Sequence, residues 1–123
     1  MIVHAPISIG ELIDKITILQ IKLDHITDLD KLELVNSELT ALQMLKTNLD
    51  INVDMKSLKE VNLQLWNIED RLRIKEQKQE FDNEFIELAR SVYITNDKRA
   101  SLKLDINNQF NSTYIEVKSY RQY

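Results

Sequence analysis

The sequence predicts a mainly α-helical protein: a small antiparallel bundle of four to five helices that forms a single domain over residues 1–123. Three observations support this fold class. Apolar residues recur at three- and four-residue spacing in several long segments, which is the period of an amphipathic helix. Gly10 and Pro6 are the only glycine and the only proline, so the residues that β-hairpin turns need are missing. The chain is also 43% hydrophobic and 29% charged, which is ordinary for a folded protein.

The first predicted helix spans residues 8–26, and we call it the hub helix. Ser8 and Glu11 form a capping-box pattern, in which the serine hydroxyl accepts a hydrogen bond from the N–H of Glu11. Most of its apolar residues fall on one broad face, but Ile18 and Ile21 lie on the opposite face among charged residues. We therefore expect a second element of the chain, or another subunit, to cover these two isoleucines.

Two further amphipathic helices are predicted over residues 30–48 and 55–80. Leucines at three- and four-residue spacing define the apolar side of the first of these helices. Its short connection to the hub helix makes the two antiparallel. The other helix carries Glu69 at an angle that faces the core, with Trp66 and Arg73 nearby on the helical wheel.

A fourth helix is predicted to begin after a cap at Asp82 or Asn83. Asn96 matches the N-cap of a separate fifth helix over residues 97–108. Residues 112–120 then alternate apolar and polar side chains with the period of a β-strand. This segment could pair with residues 2–5, so a short β-ribbon made from the two termini is a further prediction.

Composition and spacing exclude several classes of function. The chain has no cysteine, which rules out disulfides and thiolate chemistry. His4 and His25 stand far apart without a metal-binding pattern, so we expect no metal and no cofactor. The net charge is −4, and residues 71–123 carry only 10 basic against 8 acidic groups. We therefore expect no nucleic-acid partner. No run of 18 apolar residues occurs, so we expect no membrane association and a cytoplasmic location.

One group of charged and aromatic side chains suggests a ligand site. Glu69 and Arg73 can form an internal salt bridge, or they can face a ligand together with Trp66. Arg99 lies on an apolar stripe and needs a carboxylate or an anionic ligand as its partner, and Glu69 is the most obvious internal candidate. The complete set of ligand-binding candidates adds hub-helix lysines and residues near the fourth helix's apolar arc: Lys15, Lys22, Trp66, Glu69, Arg73, Arg90, Tyr93 and Arg99.

Two functions from different classes remain open on these residues. The first is a non-enzymatic interaction module that forms homo-oligomers or binds a protein partner. Its interface candidates are the back-face residues of the hub helix, namely Asp14, Ile18, Ile21 and His25. The second is a protein or enzyme that binds a small anionic ligand, such as a phosphorylated sugar or a nucleotide, through the Arg/Glu cluster. No catalytic motif decides whether the protein is an enzyme, and the first function is favoured.

Three stretches carry a resemblance to a known family: residues 8–15, residues 89–100 and residues 116–120. Together they resemble a family of short bacterial proteins catalogued only as a domain of unknown function. The resemblance covers nearly the whole chain and brings no established activity with it. It implies an association with surface-polysaccharide assembly, which is an expectation from the family and not from the residues themselves.

Overall fold

A computed structural model describes residues 1–123 as a bundle of four helices without a β-strand. The helices are α1 (Ile9–His25), α2 (Leu29–Asn48), α3 (Lys56–Lys78) and α4 (Asn83–Gln109). The prediction of a mainly helical protein is confirmed. The bounds of the first three helices differ from the predicted bounds by at most two residues. No helix combines the length and the apolar composition that crossing a bilayer requires.

Local side-chain caps mark the starts of α1, α2 and α4, whereas Met55 before α3 makes no side-chain cap. The Ser8 hydroxyl accepts a hydrogen bond from the N–H of Glu11 over 3.1 Å. Asp28 caps α2 and Asp82 caps α4 in the same way, each accepting from the backbone N–H three residues further on. Each cap satisfies one of the N–H groups that the first turn of a helix leaves without a partner.

The hub helix is the centre of the fold, because α1 packs against all three other helices. The helices α3 and α4 also pack against each other, whereas α2 contacts α1 alone. The buried core is built mainly from α1, with single contributions from the other helices and from the α2–α3 connection: Leu12, Ile13, Ile16, Leu19, Leu39, Ile51, Leu58 and Ile106. The predicted apolar stripe of α1 is therefore the main inner surface of the protein.

The α3–α4 turn is fastened by an ion cluster around Lys75. Its Nζ lies 2.8 Å from a carboxylate oxygen of Asp82 and 3.2 Å from carboxylate oxygens of Glu80 and Glu84. The hydrogen bonds from Lys75 hold the pKa values of Asp82 and Glu84 below their ordinary range. This cluster keeps the end of α3 and the start of α4 together as an antiparallel hairpin.

The separate fifth helix is absent, because α4 continues unbroken from Asn83–Gln109. The predicted cap, Asn96, lies in the middle of this helix. Asparagine acts as an N-cap only where its own backbone is non-helical. No glycine or proline interrupts residues 83–109, so nothing stops the helix from continuing through this position.

The predicted β-ribbon is not found, since residues 1–7 and 112–123 contain no strand. The C-terminal segment, which we define as residues 112–123, instead turns back along α4. The Ser112 hydroxyl accepts from the N–H of Ile9, Glu116 accepts from Lys103, and the Tyr123 hydroxyl donates to Asp97. Side-chain contacts with α1 and α4 therefore hold this segment, and they take the place of a backbone ladder between the termini.

Candidate functional site

A buried polar network joins α1 to α3 and α4, and its centre is Asp14. The side chain of Asp14 is only 1% exposed. Arg99 donates from Nε to Asp14 Oδ1 over 3.0 Å and from Nη2 to Oδ2. Asn62 Nδ2 donates to Asp14 Oδ1 and to Thr17 Oγ1, both over 2.9 Å. A buried carboxylate is tolerated only when it is paired and hydrogen-bonded in this way.

Lys103 extends the same network towards the C-terminal segment. Its side chain is 8% exposed, and its Nζ donates to Glu11 over 2.9 Å and to Glu116 over 3.0 Å. It also lies 3.8 Å from Asp14 Oδ2. Burial lowers the pKa of Lys103, but the hydrogen bonds to Glu11 and Glu116, together with the nearby carboxylate charges, outweigh burial and raise the pKa above its ordinary value. Arg99 likewise has a raised pKa, mainly because of its hydrogen bonds to Asp14.

Gly10 makes the close approach of α1 and α4 possible. Its N–H donates to Asn107 Oδ1 over 2.7 Å. A Cβ atom at this position would lie 2.6 Å from the backbone oxygen of Lys103 and 2.9 Å from Asn107 Oδ1. The only glycine of the chain therefore stands where a side chain has no room, next to the buried network.

A cleft of about 360 Å³ opens beside this network, between α1, α3 and α4. Its walls combine apolar and charged side chains, and we call it the Trp66 cleft: Ile18, Ile21, Asn62, Leu65, Trp66, Glu69, Asp70, Arg73 and Arg99. Arg99 and Asn62 belong both to the buried network and to the lining of the cleft. The volume falls within the range of small-molecule sites, which is roughly 300–1,000 Å³.

The charges of the Trp66 cleft balance one another. Arg73 and Arg99 are positive, and Glu69 and Asp70 are negative. Arg73 Nη2 lies 3.9 Å from Glu69 Oε2, and both side chains are well exposed. A loose exposed pair of this kind contributes little to stability, so both groups are free to contact a ligand.

One wall of the cleft is held by an aromatic contact at the end of α1. The rings of His25 and Trp66 lie 5.2 Å apart at an angle of 46°. His25 Nδ1 lies 2.8 Å from the carbonyl oxygen of Ile21. Because that oxygen can only accept, Nδ1 carries the proton in this contact. His25 thus anchors Trp66 against α1.

The ligand-binding candidates separate into two groups. Trp66, Glu69, Arg73 and Arg99 come together in the cleft, joined by the back-face residues Ile18 and Ile21. Lys15 and Lys22 are not part of the cleft lining. Arg90 lies elsewhere on α4 and pairs with Glu87 at 3.0 Å. Tyr93 also lies outside the cleft, where its ring packs against Tyr123 at 5.1 Å.

The interface candidates on the hub helix are mostly occupied within the chain. Asp14 and Ile21 are buried, and Ile18 is half-buried in the cleft wall. His25 is exposed but packs on Trp66. The helix α3 and the side chain of Arg99 thus lie over the two isoleucines of the back face, and a second subunit is not needed to cover them.

The partner of Arg99 differs from the expected one, because Arg99 pairs with Asp14 and not with Glu69. The N-terminal half of α1 packs antiparallel on the C-terminal half of α4, which brings Asp14 to Arg99 across 85 positions of sequence. Sequence reasoning also missed Asn62, Lys103 and Asn107 as buried polar residues. The only signal for this contact was Gly10 in the first turn of a helix, where alanine would otherwise be preferred.

Acidification is expected to loosen the C-terminal segment from α4. The hydrogen bonds from Lys103 and then Lys118 lower the pKa of Glu116 from its ordinary value of about 4.5. The contact therefore contributes fully above that ordinary value and is lost as the pH falls through the lower pKa of the bound state. NMR shifts of residues 112–123 should report this loss below about pH 4.5.

The Glu116→Gln variant should lack this transition and show a looser segment already at pH 7. The matched control is Glu87→Gln, which removes a carboxylate paired with Arg90 and leaves the segment untouched. An unchanged acid transition in Glu116→Gln would contradict the assignment of this transition to the protonation of Glu116.

No three histidine, aspartate or glutamate side chains converge closely enough to hold a metal ion.

Residues 3–123 match the model of a family described as a family of unknown function, DUF6165. The predicted resemblance to such a family over nearly the whole chain is thereby confirmed. Neither a curated protein nor a solved structure matches the chain.

Proposed function

We propose that this chain, which belongs to the family of unknown function DUF6165, is a non-enzymatic interaction module that forms homo-oligomers through α2. The single observation that supports this proposal is the exposed apolar surface of α2. Leu34 is 73% exposed and Met44 is 60% exposed, and Leu45 and Leu49 are exposed beside them. A helix of 20 residues that contacts only α1 leaves this side without a partner in the chain.

The spacing of the exposed residues suits helix-to-helix packing. Leu34, Ala41 and Leu45 recur at intervals of seven and four residues, so they form one stripe along α2. The opposite stripe packs on α1 through Leu39, which is buried, and its half-buried neighbours. The helix thus has two apolar sides, and only one of them is used within the chain.

A second copy of the chain is the occupant that the stripe itself favours. Leu34 and Leu45 lie near opposite ends of one exposed stripe, so the stripe is complementary to itself when it is reversed. Two α2 helices can therefore pack antiparallel about a two-fold axis through this stripe. The same arrangement places Leu34 of one copy near Leu45 of the other.

Replacing both Leu34 and Leu45 by lysine is expected to weaken self-association. Loss of two leucines that self-association would bury, together with the introduction of like charges, should cost about 2 kcal/mol or more, which corresponds to a dissociation constant raised roughly thirtyfold. Sedimentation velocity from about 1 to 200 μM measures the effect, since the upper limit reaches weak homodimers.

The matched control is Leu104→Lys on α4, which changes a leucine as exposed as Leu45 but away from α2. It should leave the dissociation constant unchanged. A wild-type chain that is monomeric over the whole concentration range would overturn the proposal, as would equal weakening by both variants.

A small-ligand role is the second candidate function, and the Trp66 cleft supports it. Four of the predicted ligand-binding residues line one cavity of suitable volume. A thermal-shift screen with inorganic phosphate, sugar phosphates and short peptides tests this role. The absence of any stabilisation would leave the cleft without a ligand function.

The association with surface-polysaccharide assembly, which rests on family resemblance alone, stays a prediction.

A further inference from the structure

The chemistry of the Trp66 cleft points further, to one class of ligand. We infer that it binds a small zwitterionic molecule whose carboxylate and ammonium groups lie about 10 Å apart, as in a tripeptide with free termini. This inference rests on the second candidate function, the ligand role of the cleft. It does not depend on self-association through α2.

Arg99 forms the end of the cleft that would receive the carboxylate. Asp14 occupies its Nε and one hydrogen of its Nη2. Nη1 makes no hydrogen bond within the chain, so its two hydrogens and the second hydrogen of Nη2 remain available. Guanidinium carries five N–H donors, and the remaining edge suits a second carboxylate in a two-pronged contact.

Asn62 adds an acceptor beside Arg99. Its Nδ2 donates to the carboxylate of Asp14, which can only accept, and this contact fixes the orientation of the amide. Asn62 Oδ1 makes no hydrogen bond within the chain, and the residue lines the cleft. An acceptor next to the carboxylate site suits a ligand that has an N–H close to its acid group, as a peptide does and inorganic phosphate does not.

Glu69 and Asp70 form the other end of the cleft, next to the ring of Trp66. Two carboxylates beside an aromatic ring attract a cation through charge and through the electrons of the ring face. Arg73 lies 3.9 Å from Glu69 and is mostly exposed, so it can turn towards solvent when an ammonium group approaches. This end therefore favours a cation.

The distance between the two ends sets the length of the ligand. Asn62 and Glu69 are seven positions apart on α3, and a helix rises about 1.5 Å per residue, so the ends lie about 10 Å apart. Three extended residues span about the same distance. The lining charges also sum to zero, so the cleft offers no net attraction to a simple anion.

Trp66 is the only tryptophan of the chain, so its fluorescence reports directly on the cleft. We would titrate the full chain with the tripeptide Ala-Phe-Ala, with its N-acetylated form, with its C-amidated form and with inorganic phosphate. The free tripeptide should change the emission of Trp66. Each capped form should bind at least about tenfold more weakly, because it loses one charge-assisted contact.

Variants at the rim give a second readout without disturbing the buried network. Glu69→Gln combined with Asp70→Asn should lower the affinity for the free tripeptide about tenfold. The affinity for the C-amidated form, which keeps its ammonium group, should fall by the same factor. The N-acetylated form should be unaffected, since it has no ammonium group. Glu60→Gln is the matched control, because Glu60 is an exposed acid on α3 outside the cleft.

The possible failures are distinguishable from one another. Tighter binding of phosphate than of the tripeptide, or equal binding of all three peptides, would overturn the zwitterion inference and leave a ligand role for the cleft. No change of Trp66 emission with any probe would overturn both. Neither result bears on self-association through α2, which sedimentation velocity measures separately.

Discussion

Replacing Asp14 by alanine is expected to lower the free energy of unfolding by about 3–5 kcal/mol, which is the typical cost of removing one partner from a buried ion pair. The variant leaves Arg99 without its carboxylate and removes one acceptor from Asn62. Lys103 keeps Glu11 and Glu116, so the loss is concentrated on the guanidinium. The midpoint of urea denaturation, followed by circular dichroism, measures the change.

The matched control for this prediction is Asp24→Ala on the same helix. Asp24 is well exposed and pairs with Lys59 only at 3.9 Å. Its loss should cost no more than about 1 kcal/mol. A similar cost for the two variants would show that Asp14 is no more important than a surface acid. A cycle with Arg99→Met should reveal a coupling of about 0.5–3 kcal/mol between the two residues.

Replacing Gly10 by alanine is expected to destabilise the protein by about 1–3 kcal/mol, even though alanine is the better helix former by about 1 kcal/mol. The new methyl group would meet the backbone oxygen of Lys103 at 2.6 Å. Backbone cannot move aside as a flexible side chain can. The two helices must therefore separate, which also weakens the hydrogen bond from the Gly10 N–H to Asn107.

Ser37→Ala on α2 is the control for the effect of helix propensity alone. Ser37 is exposed in the middle of α2, where an added preference for helix meets no obstacle. This control should be neutral or slightly stabilising, by a few tenths of a kcal/mol. A Gly10→Ala protein that melts at or above the temperature of the wild type would refute the close-approach argument.

Features that depend on neighbouring residues could be predicted from the sequence. The Ser8 cap involves residues three apart, and the apolar stripe of α1 is a property of one helix, so both follow from local pattern. The separate fifth helix predicted after Asn96 is wrong because that prediction also relied on local pattern alone. A local preference for capping was taken as decisive where the rest of α4 favours continuous helix.

Residues 112–120 are predicted as a strand because their side chains alternate with period two. That pattern describes an extended chain and does not say what lies beside it. In the structure, Glu116 reaches Lys103 and Tyr123 reaches Asp97, so side-chain contacts occupy the segment and no second strand is near. The alternation could be read from the sequence, but the side chains that hold the segment could not.

The candidate site was predicted only in the part that one helix supplies. Trp66, Glu69 and Arg73 share a face of α3, so their grouping follows from the helical period. Ile18 and Arg99 join them only because α1 and α4 cross α3 at this level, which no local pattern encodes. The pairing of Arg99 with Asp14 is likewise a consequence of tertiary packing.

The contact between α1 and α4 also governs the order in which the fold can be completed. Asp14 and Arg99 are 85 positions apart, and Gly10 and Asn107 are 97 positions apart. During synthesis α1 is therefore made well before α4, and Asp14 receives Arg99 as its counter-ion only after the intervening residues have been released. Until Arg99 is present, water must solvate the Asp14 carboxylate, so we expect the docking of α1 along α4 to be a late step of folding.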